Sequence, residues 1–284
     1  MEAAIFFDSY LPEALRKAYG YAGEDGFVAS MPALLRARAN AHFDNIIWNT
    51  WFNPNSEENV VTTPKGNHVV VTVHGGGIFG SPERFEKLFR ADTSRFSELS
   101  FTGLFAAKIS EKEAHDVLDG RLPDGTTIPV YSFDEFNRGV PDVPRRYAVI
   151  MDFEMAKNCR SGYEKFDDLK NDPLMIVRAG GVEAASNYLD KARSRHDTET
   201  MGSWHPYNSI SDLQQPQTRV PNLAGNKGSA GSEDDDGHLY GYDSDYGIGG
   251  DSSIHNTSMI NIARYIAVAP RNASTSVRDL SFTA

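Results

Sequence analysis

The residues best placed to do chemistry are His74, Gly75, Gly76 and Gly77, which directly follow the run Val69-Val70-Val71-Thr72-Val73. Glycines let a backbone approach a ligand closely and adopt positive φ. Ser81-Pro82-Glu83 then reads as a helix start, with an N-cap, a proline at N1 and an acidic first turn. Free N–H groups between such a strand and helix form a site for an anion or an oxyanion. Gly75, Gly76 and Gly77 are therefore candidate substrate-binding residues, and His74 is a candidate general base. The competing reading is a tight turn that the histidine merely caps.

Two further constellations stand out. Asp152-Phe153-Glu154 closes the apolar run Tyr147–Phe153. Side chains two apart on a strand point to the same side, so Asp152 and Glu154 can act as a catalytic pair or share a divalent metal. That metal is the one cofactor the sequence indicates. The alternative is a strand end where Asp152 caps the next helix. Arg178 precedes Gly180-Gly181 and suits carboxylate or phosphate recognition. Trp204-His205-Pro206-Tyr207 offers a wall for stacking and proton transfer. Arg178, Trp204 and His205 join the glycines as substrate-binding candidates, against a surface ion pair and plain aromatic packing. Cys159 has no histidine partner nearby in sequence and reads as a buried spectator.

These residues need elements to hold them. Helical spacing is evident at 11–20 and 31–42. The clearest strand is 68–73, and a helix follows over 82–90. A strand is expected at 104–109. Ser110 and Glu113 then form a capping box for a helix ending near Gly120. Residues 147–153 read as a central strand and 174–177 as another. An amphipathic helix is expected over 182–195, and 260–269 reads as a last strand or a helix passing into one. Strands interleaved with helices imply an α/β or α+β fold, a mixed sheet with flanking helices. The chain is expected to form one domain over 1–284, with an irregular, Gly/Asp-rich C-terminal insert over 203–258. Its core, 224–238, is low in complexity, and Glu233–Asp236 with Asp243, Asp245 and Asp251 lacks the spacing of an EF-hand loop.

The 284 residues are 40% hydrophobic, enough for a sizeable core, and the net charge of −11 disfavours phosphate-backbone binding, so nucleic acid is not the expected partner. A single cysteine excludes an internal disulfide and fits a reducing compartment. No basic segment followed by an apolar one opens the chain, and no apolar stretch is long enough to span a bilayer. A cytoplasmic protein with no membrane partner is expected.

The strand followed by His-Gly-Gly-Gly resembles the oxyanion-hole loop of lipase- and esterase-type α/β-hydrolases. That resemblance implies a downstream G-x-S-x-G nucleophile. The chain contains none; Gly250-Asp251-Ser252-Ser253-Ile254 comes nearest. Asp152-x-Glu154 resembles the first motif of DnaQ-like exonucleases, which implies a two-metal nuclease. The leading expectation is an enzyme, a hydrolase, lyase or transferase, using general acid/base chemistry on a small polar or anionic substrate. His74, Glu154, Arg178 and His205 would converge at the C-terminal ends of the strands. The alternative is a non-catalytic binding protein that uses the acidic C-terminal insert. A metal-dependent phosphodiesterase or nuclease at Asp152 and Glu154 is third.

Overall fold

A computed structural model describes residues 1–8, 10–49, 52–92, 106–195, 199–205, 207–210, 213–223, 239–240 and 263–270. In chain order the elements are β1 (Glu2–Asp8), α1 (Leu11–Ala22), β2 (Phe27–Val28), α2 (Met31–Asn40), β3 (Ser56–Thr62), β4 (His68–His74), α3 (Pro82–Asp92), β5 (Ala106–Lys108), α4 (Glu111–Leu118), β6 (Val130–Ser132), α5 (Phe133–Asn137), β7 (Tyr147–Asp152), α6 (Phe153–Lys157), β8 (Gly162–Lys165), α7 (Phe166–Leu169), α8 (Pro173–Ala179), α9 (Val182–Arg195), β9 (Thr200–Trp204), β10 (Gln217–Arg219), β11 (Asn222–Leu223), β12 (Leu239–Tyr240) and β13 (Ala263–Ala269). The fold is a mixed α/β architecture, with helices flanking a six-stranded mixed sheet.

That sheet has the order β5-β10-β3-β4-β7-β6, beside a three-stranded sheet β1-β13-β2 and a four-stranded sheet β11-β12-β9-β8. β4 lies inside the large sheet and pairs antiparallel with both β3 and β7. Among the described residues, only β6–β7 and β12–β9 are parallel pairs. The valines of β4 are contiguous because both faces of the sheet are covered. Val70 belongs to one apolar cluster with Val60, Val149 and Met151; Val69, Val71 and Val73 belong to another with Val61 and Ala148. A strand covered on both faces loses the polar alternation of a half-exposed one.

Local chemistry sets the helix ends. Ser110 and Glu113 form the expected capping box at α4, and Ser132 and Glu135 form a second at α5. The run 174–177 is helical, where the sequence suggests a strand. Asp172 accepts the N–H of Met175, Pro173 opens the first turn, and Gly180 closes the helix at φ 89°. A short apolar run is ambiguous by periodicity, and here the caps decide it. The described part of 203–258 supplies β10, which lies between β5 and β3 in the large sheet. The acidic run from Glu233 to Asp236, the segment 224–238, and Asp243, Asp245, Asp251 and Ser252 lie outside the described residues.

Candidate functional site

The glycine turn is built as expected in its backbone. Gly75 and Gly76 have φ of 84° and 100°, values that favour glycine. Its N–H groups, however, face acceptors of the chain itself. The N–H groups of Gly75 and Gly76 donate to the Asn55 carbonyl at 2.8 and 3.0 Å. Those of Ile78 and Phe79 donate to Oε1 and Oε2 of Glu57, each at 2.8 Å. Glu57 is buried and also accepts from the Asn59 amide. Burial pushes its carboxyl pKa up, and the N–H groups of Ile78 and Phe79 pull it back. The carboxylate lies so close to Gly77 that a Cβ there would collide with it. The anion this loop holds is therefore Glu57.

His74 has no exposed surface. Its Nε2 lies 3.0 Å from the Val177 carbonyl, which can only accept, so Nε2 carries the proton. Nδ1 takes the Ser56 hydroxyl at 2.9 Å. Desolvation lowers the pKa to about 4. At neutral pH His74 is a neutral ring with both nitrogens engaged.

Arg178 is equally enclosed. Its Nε and Nη2 donate to the two carboxylate oxygens of Glu58 at 2.7 and 3.1 Å, and Nη1 donates to the Trp204 carbonyl at 3.0 Å. The Tyr207 hydroxyl donates to Glu58 as well. His205 stacks on Tyr207 at 5.2 Å and lies 3.0 Å from the Cys159 carbonyl through Nε2. Burial lowers the His205 pKa and pushes the Cys159 thiol up to about 12. His74, Arg178, Trp204 and His205 thus come together, but as an interior network joining β3, α8 and β9.

Asp152 and Glu154 lie apart from that network. In the antiparallel register His74 faces Tyr147, while Asp152 faces Val69 at the other end of β4. Five residues of strand, roughly 17 Å, separate the two positions. Asp152 accepts the N–H groups of Glu154 and Met155 at 2.9 and 3.1 Å and caps α6. Glu154 is exposed beside Lys157. Among the described residues, no group of three His, Cys, Asp or Glu side chains gathers to hold a metal ion. The groups that organise this region, Asn55 to Asn59, were missed in the sequence. Their one signal was a polar stretch running into Val60-Val61.

One solved structure, described as "Accommodation of massive sequence variation in Nanoarchaeota by the C-type lectin fold", superposes on 93% of this chain and 96% of its own, with a TM-score of 0.62 and 22% sequence identity. The chain has the C-type lectin fold. No protein-family model matches it, and no curated protein does. The C-type lectin fold corrects the expectation of an acid/base enzyme of hydrolase type. That expectation placed the site at one edge of an open sheet, where parallel strands end together. Here β4 and β7 are antiparallel, so their C-terminal ends lie at opposite edges. No described helix is long and apolar enough to cross a membrane.

Proposed function

We propose that the protein is a non-catalytic binding protein that carries its recognition surface on the C-terminal segment 224–258. The observation that carries this reading is the C-type lectin fold, shared with a protein described as accommodating massive sequence variation. A fold that accommodates sequence variation keeps its shape through contacts that the varying residues do not supply. Glu57, Glu58, His74 and Arg178 supply such interior contacts here.

The composition of the segment supports the same reading. Gly237–Gly250, GHLYGYDSDYGIGG, combines tyrosines with glycine, serine and aspartate. Tyrosine offers large amphipathic contact area at low entropic cost, and small polar residues adapt their hydrogen bonds. The residues flanking 224–238 are anchored: β11 pairs with β12, and β12 pairs with β9. The ligand class that suits these side chains is a polar surface rich in hydroxyls, such as a glycan, with carboxylates accepting and rings packing on C–H faces.

The test is an array of immobilised glycans and proteins probed with the full chain and with a variant carrying Tyr242→Ser, Asp243→Ser, Asp245→Ser and Tyr246→Ser. The expected result is binding that the four substitutions abolish while Tm stays within a few degrees. Equal binding by the substituted variant would overturn the proposal.

A further inference from the structure

A cavity of about 670 Å³ opens between the end of α1, the start of α2, the loop 143–146 and the glycine turn. That volume is in the range of small-molecule sites. Gly75 lines it, but the N–H groups of the turn point inward to Asn55 and Glu57, so other groups must do any binding.

Three kinds of donor face this space without an acceptor among the described residues. Tyr147 is 4% exposed, and its ring is fixed between His74 and Phe136 at 4.9 and 5.6 Å. Its hydroxyl lies beside Gly180, where a Cβ would approach it to 3.2 Å, and among the described residues it has no hydrogen-bond partner. Ser30 is 8% exposed at the N-cap of α2, yet its hydroxyl does not cap the helix. Arg36 and Arg145 line the same cavity, and neither has a carboxylate within ion-pair distance among the described residues. Arg145 is instead held over the Phe27 ring at 4.7 Å. The third arginine, Arg146, is already used: it pairs with Asp124 at 2.7 Å and donates to the Gly76 carbonyl at 3.1 Å.

Guanidinium and phenol donors that lack acceptors call for a ligand group that only accepts, and carboxylates and phosphates are such groups. We propose that this cavity is a second ligand site, separate from segment 224–258, for a small molecule bearing a carboxylate or phosphate held by Arg36, Arg145 and the Tyr147 hydroxyl. Glu24 and Glu83 also line the cavity. They accept from hydroxyls on the body of the ligand.

Glucose 6-phosphate and gluconate present the two oxyanions on a six-carbon polyhydroxylated body, and glucose is the neutral control. Calorimetric titration of the full chain is expected to show binding of at least one anion at millimolar concentration or below, and none of glucose. The stronger of the two identifies the oxyanion class. Arg36→Ala and Arg145→Ala, both at exposed positions, should each weaken binding about tenfold. Tyr147→Phe keeps the ring and should weaken binding with Tm unchanged. The variant substituted at Tyr242, Asp243, Asp245 and Tyr246 should leave the titration unaltered, which separates this site from the recognition segment. Failure of both anions to bind, equal binding of glucose, or equal binding by an Arg36→Ala/Arg145→Ala double variant would each overturn the proposal.

Discussion

At the scale of single residues, this protein spends its most reactive-looking side chains on its own interior. His74 is held neutral between Ser56 and Val177, with a folded-state pKa of about 4 against an ordinary 6.5. A depressed histidine contributes stability that is fully present above its unfolded value and is lost as pH falls through the folded one. Between pH 6.5 and about 4 the native state binds fewer protons than the unfolded state, and stability should drop by on the order of 3 kcal/mol. His205, also lowered by burial, adds to the drop. Glu57 acts in the opposite sense. Its raised pKa favours the folded state below the ordinary carboxylate range, and that contribution disappears as pH rises through the folded value. Urea denaturation of the parent and of His74→Gln from neutral pH to about 4 should show a shallower fall in the variant. Parallel curves would remove His74 as the cause. Arg178 and Glu58 give a second expectation at this scale. Removing one partner of a fully buried bidentate pair strands a charge, so Arg178→Met should cost about 3–5 kcal/mol. Glu58→Gln in the same chain should restore part of that loss, read from denaturation midpoints.

At the scale of elements, caps and strand register decide what the motifs mean. Asp152 accepts two N–H groups at the start of α6, so Asp152→Ala should cost about 1 kcal/mol, while Asp152→Asn should cost little. Thermal melts of the two variants check this; equal loss in both would mean that the charge, and not the cap, is what matters. Part of the fold was legible in the sequence. The valine run, the capping box at Ser110 and the amphipathic stripe of α9 each carry a local signal strong enough to read. Other elements were not, α8 and β3 among them. α8 hides behind a four-residue apolar run that fits either a helix or a strand. β3 hides because Ser56, Glu57, Glu58 and Asn59 are buried polar residues, and their burial depends on partners at His74, Ile78, Phe79 and Arg178 that lie far away in sequence. Local pattern cannot reveal a strand whose reason for burial is a distant hydrogen bond. The placement of the candidate residues was hidden for the same kind of reason. The residues were real neighbours in part, yet antiparallel pairing of β4 and β7 sent Asp152 to the far end, and the acceptor for the glycine loop came from the unread strand.

At the scale of the whole molecule, three sheets share two apolar clusters that cover both faces of β4. The C-type lectin fold is thereby held by interior contacts, and the Tyr-, Gly- and Asp-rich stretch lies in the chain between β12 and β13. A recognition segment on such a scaffold should tolerate replacement. The most direct test is a displayed library randomised at Tyr242, Asp243, Ser244, Asp245, Tyr246, Asp251 and Ser252, scored for protease resistance beside a library randomised at Glu57, Glu58, His74 and Arg178. The expected result is that most members of the first library resist protease like the parent and most of the second do not. Collapse of the first library to the level of the second would contradict a recognition role for the segment.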